Sequence, residues 1–194
     1  MTDLIREELQ RGISSLSLNC NEEMLSSLLA YIDLLKKWNS AYNLLGGNES
    51  DSLVSRHILD SLSVDPYLEG NLIADIGAGA GLPGIPLAIL NPGKNFVLID
   101  ANGKKTRFMF QAKIQLGLDN ISIENSRIEH YQSIQQIDMV MCRAFSTLED
   151  ALTMLQPIFS DECKLLAMKG HYPEEEIARL PDGFELSKTI KLNV

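Results

Sequence analysis

The stretch Leu72-Ile-Ala-Asp-Ile-Gly-Ala-Gly-Ala-Gly-Leu-Pro-Gly84 decides the fold. A run of strand length enters four glycines, Gly77, Gly79, Gly81 and Gly84, and the apolar residues Ile85 to Leu90 beyond them read as a helix. Glycine lets the backbone turn sharply there and lets a ligand come close to it. The next strand closes on Asp100, 25 residues after Asp75, where a carboxylate accepts hydrogen bonds from the ribose hydroxyls of an adenosine cofactor. Asp75, two residues before the first loop glycine, reads as a negative charge. Such a charge repels a dinucleotide's pyrophosphate and attracts the sulfonium and ammonium of S-adenosylmethionine, so the loop favours the latter.

Outward from the loop, short apolar runs alternate with amphipathic stretches, the pattern of a parallel sheet with crossover helices. Strands are predicted at Leu72 to Ile76, Phe96 to Asp100, Ile121 to Ile123, Met139 to Cys142 and Lys164 to Met168, with Phe184 to Leu192 as a further candidate. Helices are predicted at Lys104 to Leu116 and Leu148 to Leu155, and Pro173 opens a helical turn whose acidic residues are Glu174 to Glu176. Toward the N-terminus the period becomes helical: Leu25, Leu28, Leu29, Ile32, Leu35 and Trp38 share one stripe behind an Asn21 cap. After Gly46 and Gly47, Ser50 or Asp51 is expected to cap a second helix carrying Val54, Ile58 and Leu62, which Pro66 ends. The division is an N-terminal helical extension over 1–68 and an α/β core, Rossmann-like, over 69–194.

With 194 residues, 45% hydrophobic and 22% charged, the chain is long enough to bury a core without disulfides or a structural metal. No apolar run approaches the roughly 20 residues of a membrane span. The residues Met1 to Arg11 lack the order of a signal peptide, so a cytoplasmic location and reduced thiols at Cys20, Cys142 and Cys163 are expected. The cysteines, like His57, His130 and His171, lack metal-ligand spacing, and no metal is expected. A net charge of −9 argues against a wholly nucleic-acid-binding surface and leaves room for one basic face. The leading candidate is Lys104, Lys105 and Arg107, with Lys113 on the same helix.

The segments Lys37-Trp-Asn-Ser-Ala-Tyr-Asn-Leu44, Arg56-His-Ile-Leu-Asp-Ser61, Asp75 to Leu87, Ser126-Arg-Ile-Glu129, Arg143-Ala-Phe145 and Lys169-Gly170 together resemble the RsmG, or GidB, family of bacterial methyltransferases. The Asp-x-Gly-x-Gly-x-Gly form alone resembles motif I of class I methyltransferases, and its fusion to Leu-Pro-Gly-Ile-Pro-Leu is far more specific. The resemblance implies a class I methyltransferase fold and an enzyme that methylates the 7-position nitrogen of a guanine in 16S ribosomal RNA. S-adenosylmethionine would be the cofactor and the ribosomal RNA or small subunit the partner. Two departures stand out: Asn43-Leu44-Leu45 replaces Asn-Leu-Thr, and the family's C-terminal Gly-Glu-Arg strand has no counterpart, so the last strands are expected to be incomplete.

By the same resemblance, Asp75, Gly77, Gly79, Gly81 and Leu82 belong to the cofactor loop, Asp100 and Ala101 lie near the ribose, and Ile128 and Glu129 lie beside the adenine. Arg143 stands at the cofactor's reactive end, and with Arg127 and Lys169 makes the catalytic set. Asn39, Arg56 and His57 face the RNA, joined by Lys104, Lys105 and Arg107. Apart from the resemblance, Arg56 and Asp60 at helical spacing read as a surface ion pair, and Trp38 reads as core. A noncatalytic ribosome-assembly or RNA-binding factor, a small-molecule methyltransferase and, least favoured, a nicotinamide oxidoreductase remain as alternatives.

Overall fold

The computed structural model describes residues 2–45, 53–143 and 147–192. Helices α1 (Thr2–Ser15) and α2 (Glu22–Tyr42) come first, and α2 starts where the Asn21 side chain accepts the Met24 N–H at 2.8 Å. A π-helical turn, Val54–Leu59, runs directly into the short α3, Asp60–Leu62. The strands and helices that follow are β1 (Leu72–Ile76), α4 (Gly84–Leu90), β2 (Asn95–Ile99), α5 (Gly103–Leu116), β3 (Ile121–Glu124), β4 (Met139–Arg143), α6 (Leu148–Leu155), β5 (Lys164–Met168) and α7 (Glu174–Ile177). The five strands agree with the sequence pattern to within a residue at either end. The caps expected at Ser50 or Asp51, the break at Gly46 and Gly47, and Phe145 lie outside the described residues.

All strand pairs are parallel, in the order β3-β2-β1-β4-β5. The chain moves outward from β1 through β2 to β3 and then returns to β1's other side as β4, so the order reverses at β1. A crevice beyond the carboxyl ends of the strands at such a reversal is where open α/β sheets bind ligands.

The strand period of two sends Ile73, Phe96, Leu98, Ile121, Met139 and Met141 to one face of the sheet, and Ala74, Ile76, Val97, Ile99 and Val140 to the other. The first face is deeply covered: α4 is buried along its whole length between the sheet and α2 and α3, and Leu9, Leu28, Ile58 and Leu62 extend the same core into the N-terminal helices. On the second face the chief buried cover is α6, through Ala151 and Leu155. β5 forms one edge of the sheet, its residues half-buried or exposed, and β3 forms the other.

The structure corrects two expectations. Over Phe184 to Leu192 no strand forms; the segment crosses the surface held by side chains, with Phe184 edge-on to Phe159 and the Lys188 ammonium 5.7 Å from the centre of the Tyr67 ring. A strand needs a ladder of main-chain partners, and among the described residues this segment pairs with no strand, its Phe184 N–H instead closing a turn on Pro181 O at 3.2 Å. The helix predicted through Val54 and Ile58 is π-wound from Val54 to Leu59 rather than α-helical, a winding frequent at functional sites. Pro66 lies beyond it in a 3₁₀ turn, Asp65–Tyr67.

Gly84 is tightly enclosed, because a Cβ there would lie 2.3 Å from Leu98 Cδ2 and 2.7 Å from Asp75 Oδ2. Gly84→Ala should therefore lower stability by about 1–3 kcal/mol through overpacking, read as a lower midpoint in urea unfolding with unchanged slope.

Candidate functional site

The glycine loop is held from three directions. From the sheet, the Gly77 and Ala78 N–H groups donate to Ile99 O at 2.8 and 3.1 Å, and the Gly79 N–H donates to Asp100 Oδ2 at 2.8 Å. From α4, the Gly84 N–H donates to Asp75 Oδ2 at 2.9 Å. From α2, the Tyr31 hydroxyl, wholly buried, donates to Ala80 O at 2.6 Å. Gly81 has φ +80°, and a Cβ on it would lie 2.3 Å from Ile85 Cδ1, so glycine is required there on both counts.

Beside this loop an open cleft of about 260 Å³ lies at the carboxyl ends of β1 and β2. Gly77, Asp100, Ala101, Arg127, Ile128 and Glu129 line it, over apolar walls from Ile76, Ile99 and Met154. Most of the residues expected around the ribose and adenine are thus brought to one place from three separate loops. The Asp100 carboxylate accepts the Gly79 and Asn102 N–H groups at 2.8 and 2.7 Å, which leaves about half of a carboxylate's lone-pair positions for a ligand. Asn102 also caps α5 by accepting the Lys104 N–H at 2.9 Å, so the helix start and the acidic residue are set together.

Several other expected residues lie elsewhere. Leu82 is buried in the turn below the loop and does not line the cleft. Asp75 points from β1 to the α4 side of the sheet, opposite the cleft, and is wholly buried. Its Oδ1 has no partner among the described residues. Burial pushes the carboxyl up to about 7, against the Gly84 hydrogen bond that lowers it, so it is no fixed negative charge presented to a cofactor. Its place is under the loop, as a pin between strand and helix.

The catalytic candidates also separate. Arg127 belongs to the cleft wall, whereas Arg143 and Lys169 stand at or just beyond the carboxyl ends of β4 and β5. Arg143 reaches the N-terminal helices: Nη1 donates to Asp60 Oδ2 at 3.0 Å, and Nη2 lies 2.8 Å from His57 Nδ1. Asp60 thus pairs across 83 positions of sequence with Arg143, rather than forming the local pair with Arg56 that helical spacing suggests. Lys169 Nζ donates at 2.7 Å to Glu176 Oε2, which also accepts the Leu148 N–H at 2.7 Å, joining β5, α6 and α7.

Of the residues expected to face RNA, Arg56 is exposed, but Asn39 is buried and its Oδ1 accepts the Leu45 N–H at 2.9 Å, holding the turn after α2. The lysine cluster divides as well. Lys104 and Arg107 are exposed on one side of α5, in line with the exposed Phe110 and Ile114. The Lys105 ammonium instead lies beside Gly79, 3.8 Å from where a Cβ would be, and Lys113 Nζ donates to Ile121 O at 2.6 Å, fastening α5 to β3. Trp38 packs on Phe108 and Tyr42. Tyr31, Asp60 and Glu176, which hold Ala80 O, Arg143 and Lys169, are not among the site residues that the sequence points to. The available signal was a tyrosine in the register of an apolar helical stripe.

Among the described residues no helix is long and apolar enough to cross a membrane, and no group of three or more His, Cys, Asp or Glu could hold a metal ion.

Known proteins resemble this chain at two levels. The model of the GidB family, described as rRNA small subunit methyltransferase G, matches residues 24–194. A ribosomal RNA small subunit methyltransferase G of Nitrosococcus oceani is 46% identical over 186 residues, covering 96% of this chain and 87% of its own. One of the same name from Pseudomonas syringae is 46% identical over 188 residues, covering 97% and 89%. Among solved structures, a methyltransferase from Geobacter sulfurreducens matches with TM-score 0.56 at 15% identity over 77% of this chain and 78% of its own. Coclaurine N-methyltransferase matches with TM-score 0.52 at 16% identity over 86% and 56%. At such identities these structures speak to the fold, which is that of the class I methyltransferases.

Two outcomes follow from the loop's supports. Asp75 binds its proton more tightly folded than unfolded, so its contribution to stability is lost as the pH rises from about 4 through about 7. Thermal melts should show Asp75→Asn gaining on the wild type over that interval, by at most about 1.4 kcal/mol per pH unit. Tyr31→Phe should leave Ala80 O without its donor and lower stability by about 1–3 kcal/mol in the same melts.

Proposed function

Because the chain belongs to the rRNA small subunit methyltransferase G family, we propose that it methylates the 7-position nitrogen of a guanine in 16S ribosomal RNA, with S-adenosylmethionine as methyl donor. The observation that carries this reading is the convergence of Gly77, Asp100, Ala101, Ile128 and Glu129 on one cleft at the point where the strand order reverses. The cleft suits the nucleoside end of that cofactor. Apolar walls from Ile76, Ile99 and Ile128 take the adenine, while the Asp100 carboxylate, with positions to spare, accepts the ribose hydroxyls. The Lys105 ammonium beside Gly79 suits the cofactor's carboxylate better than an RNA phosphate.

When bound, the cofactor supplies a methyl group on a positively charged sulfur. The target nitrogen has an in-plane lone pair and no proton, so the protein needs no general base. Cys142, beside Arg143 in sequence, is buried with its thiol pushed up to about 12, so it does not act as a covalent nucleophile. What remains for the chain is orientation, and holding two reactants in line contributes up to about 7–11 kcal/mol. Arginine commonly reads guanine at both the oxygen and the 7-position nitrogen, but a donor on that nitrogen would occupy the attacking lone pair. Arg143 and Lys169 therefore serve the guanine oxygen or flanking phosphates, and Arg127 holds the cofactor side of the cleft. Residues 1–68 supply the RNA-facing groups, among them Arg56, and Lys104 with Arg107 extends the basic face along α5. A ribosomal RNA substrate implies a cytoplasmic site of action.

Incubation of the protein with labelled S-adenosylmethionine and small subunits lacking the modification should place label on a guanine of 16S RNA. RNA binding without cofactor affinity would instead identify a noncatalytic assembly factor. Asp100→Ala should raise the cofactor Kd on the order of a hundredfold by calorimetry, through loss of charge-assisted ribose contacts. Lys104→Gln with Arg107→Gln should weaken RNA binding and reduce the slope of log K against log salt by about two units. Unchanged turnover in that double variant would favour a small-molecule substrate.

A further inference from the structure

Arg143 has its outer nitrogens held by the N-terminal helices, Nη1 by Asp60 and Nη2 by His57, and its side chain is only 20% exposed. A guanidinium donates and never accepts, so the His57 ring must receive this bond on an unprotonated Nδ1 and carry its proton on Nε2. Burial, reinforced by the Arg143 and Arg56 cations, pulls the imidazole down to about 4, while the Asp60 carboxylate on the next turn is committed to Arg143. The ring is therefore a neutral acceptor near neutral pH. The π-helical turn runs from Val54 through Leu59 into Asp60, so both partners of the guanidinium come from one short segment. A third bond, from Nη1 to Ser61 Oγ, is long at 3.5 Å. With these commitments the guanidinium keeps Nε–H and one Nη2 hydrogen unclaimed among the described residues.

We propose that His57 is a positioning residue which, with Asp60, holds Arg143 in a single orientation toward the substrate guanine, rather than a residue that touches the RNA. The proposal rests on Arg143 contacting substrate, and it assigns the family's Arg-His segment at 56 and 57 two different tasks.

The test joins kinetics with imidazole nitrogen NMR on the whole chain. His57→Phe should lower kcat for methylation of small subunits on the order of a hundredfold, with KM for the subunit and Kd for S-adenosylmethionine unchanged. The unchanged cofactor affinity certifies that the variant is folded. His57→Asn, whose amide oxygen lies where Nδ1 was, should restore most of that kcat. In the wild type the His57 ring should read as the neutral Nε2–H form with no titration between about pH 5 and 8, and Arg143→Gln, which removes one cation but neither the burial nor Arg56, should move its titration upward toward 6.5 without reaching it. A rise in KM with kcat intact, an Asn variant no better than Phe, or ordinary titration in the wild type would each overturn the proposal. Should the wild type transfer no methyl group at all, the functional reading fails, and the spectra alone still decide whether His57 holds Arg143.

Discussion

The hydrogen bond from the Gly84 N–H to Asp75 Oδ2 joins the end of β1 to the first turn of α4, and the whole glycine loop is strung between those two points. A carboxylate placed where no water reaches it carries a desolvation penalty of several kcal/mol, and this one answers by taking up a proton more readily than usual. The contact is possible only because Gly84 lacks a Cβ, since Leu98 and Asp75 already occupy the space. Once the two ends are pinned, the interior of the loop has few choices left. Ile99 O collects the Gly77 and Ala78 N–H groups, Asp100 takes that of Gly79, and Tyr31 takes the Ala80 carbonyl. The cleft wall is the outer surface of this arrangement.

The two faces of the sheet divide the work. The deeply covered face carries Asp75, Gly84 and Tyr31 and supplies rigidity, while the thinly covered face carries the cleft, with α6 as its chief buried neighbour. Binding surfaces are drawn from the less stable parts of a structure, and the placement here agrees with that tendency.

Much of this was legible beforehand. The five strands, the caps at Asn21 and the Asp100 position follow from local chemistry: an apolar run must be buried, a helix start needs an acceptor, and the carboxylate after the second strand meets the loop from the first. The residues expected around the ribose and adenine come from a family pattern, and the structure brings them to one cleft. What sequence could not convey depends on winding and facing. Asp60 seemed a partner for Arg56 because an α-helix was assumed, and the π turn instead delivers it to Arg143. Asp75 seemed to confront the cofactor because spacing locates a residue along a strand, whereas its burial decides both its face and its charge. Lys104 and Lys105 seemed one patch, yet adjacent residues on a helix point about 100° apart.

Tyr31 and His57 come from helical segments that share one continuous core, one bonded to the glycine loop and the other to Arg143. Thermodynamic linkage makes any coupling through such a body reciprocal: whatever factor a docked RNA imposes on cofactor affinity, the cofactor must impose on RNA affinity. The spent cofactor, lacking the sulfonium charge, would then differ from the fresh one in its grip on RNA, and the order in which products depart would be written into the N-terminal helices.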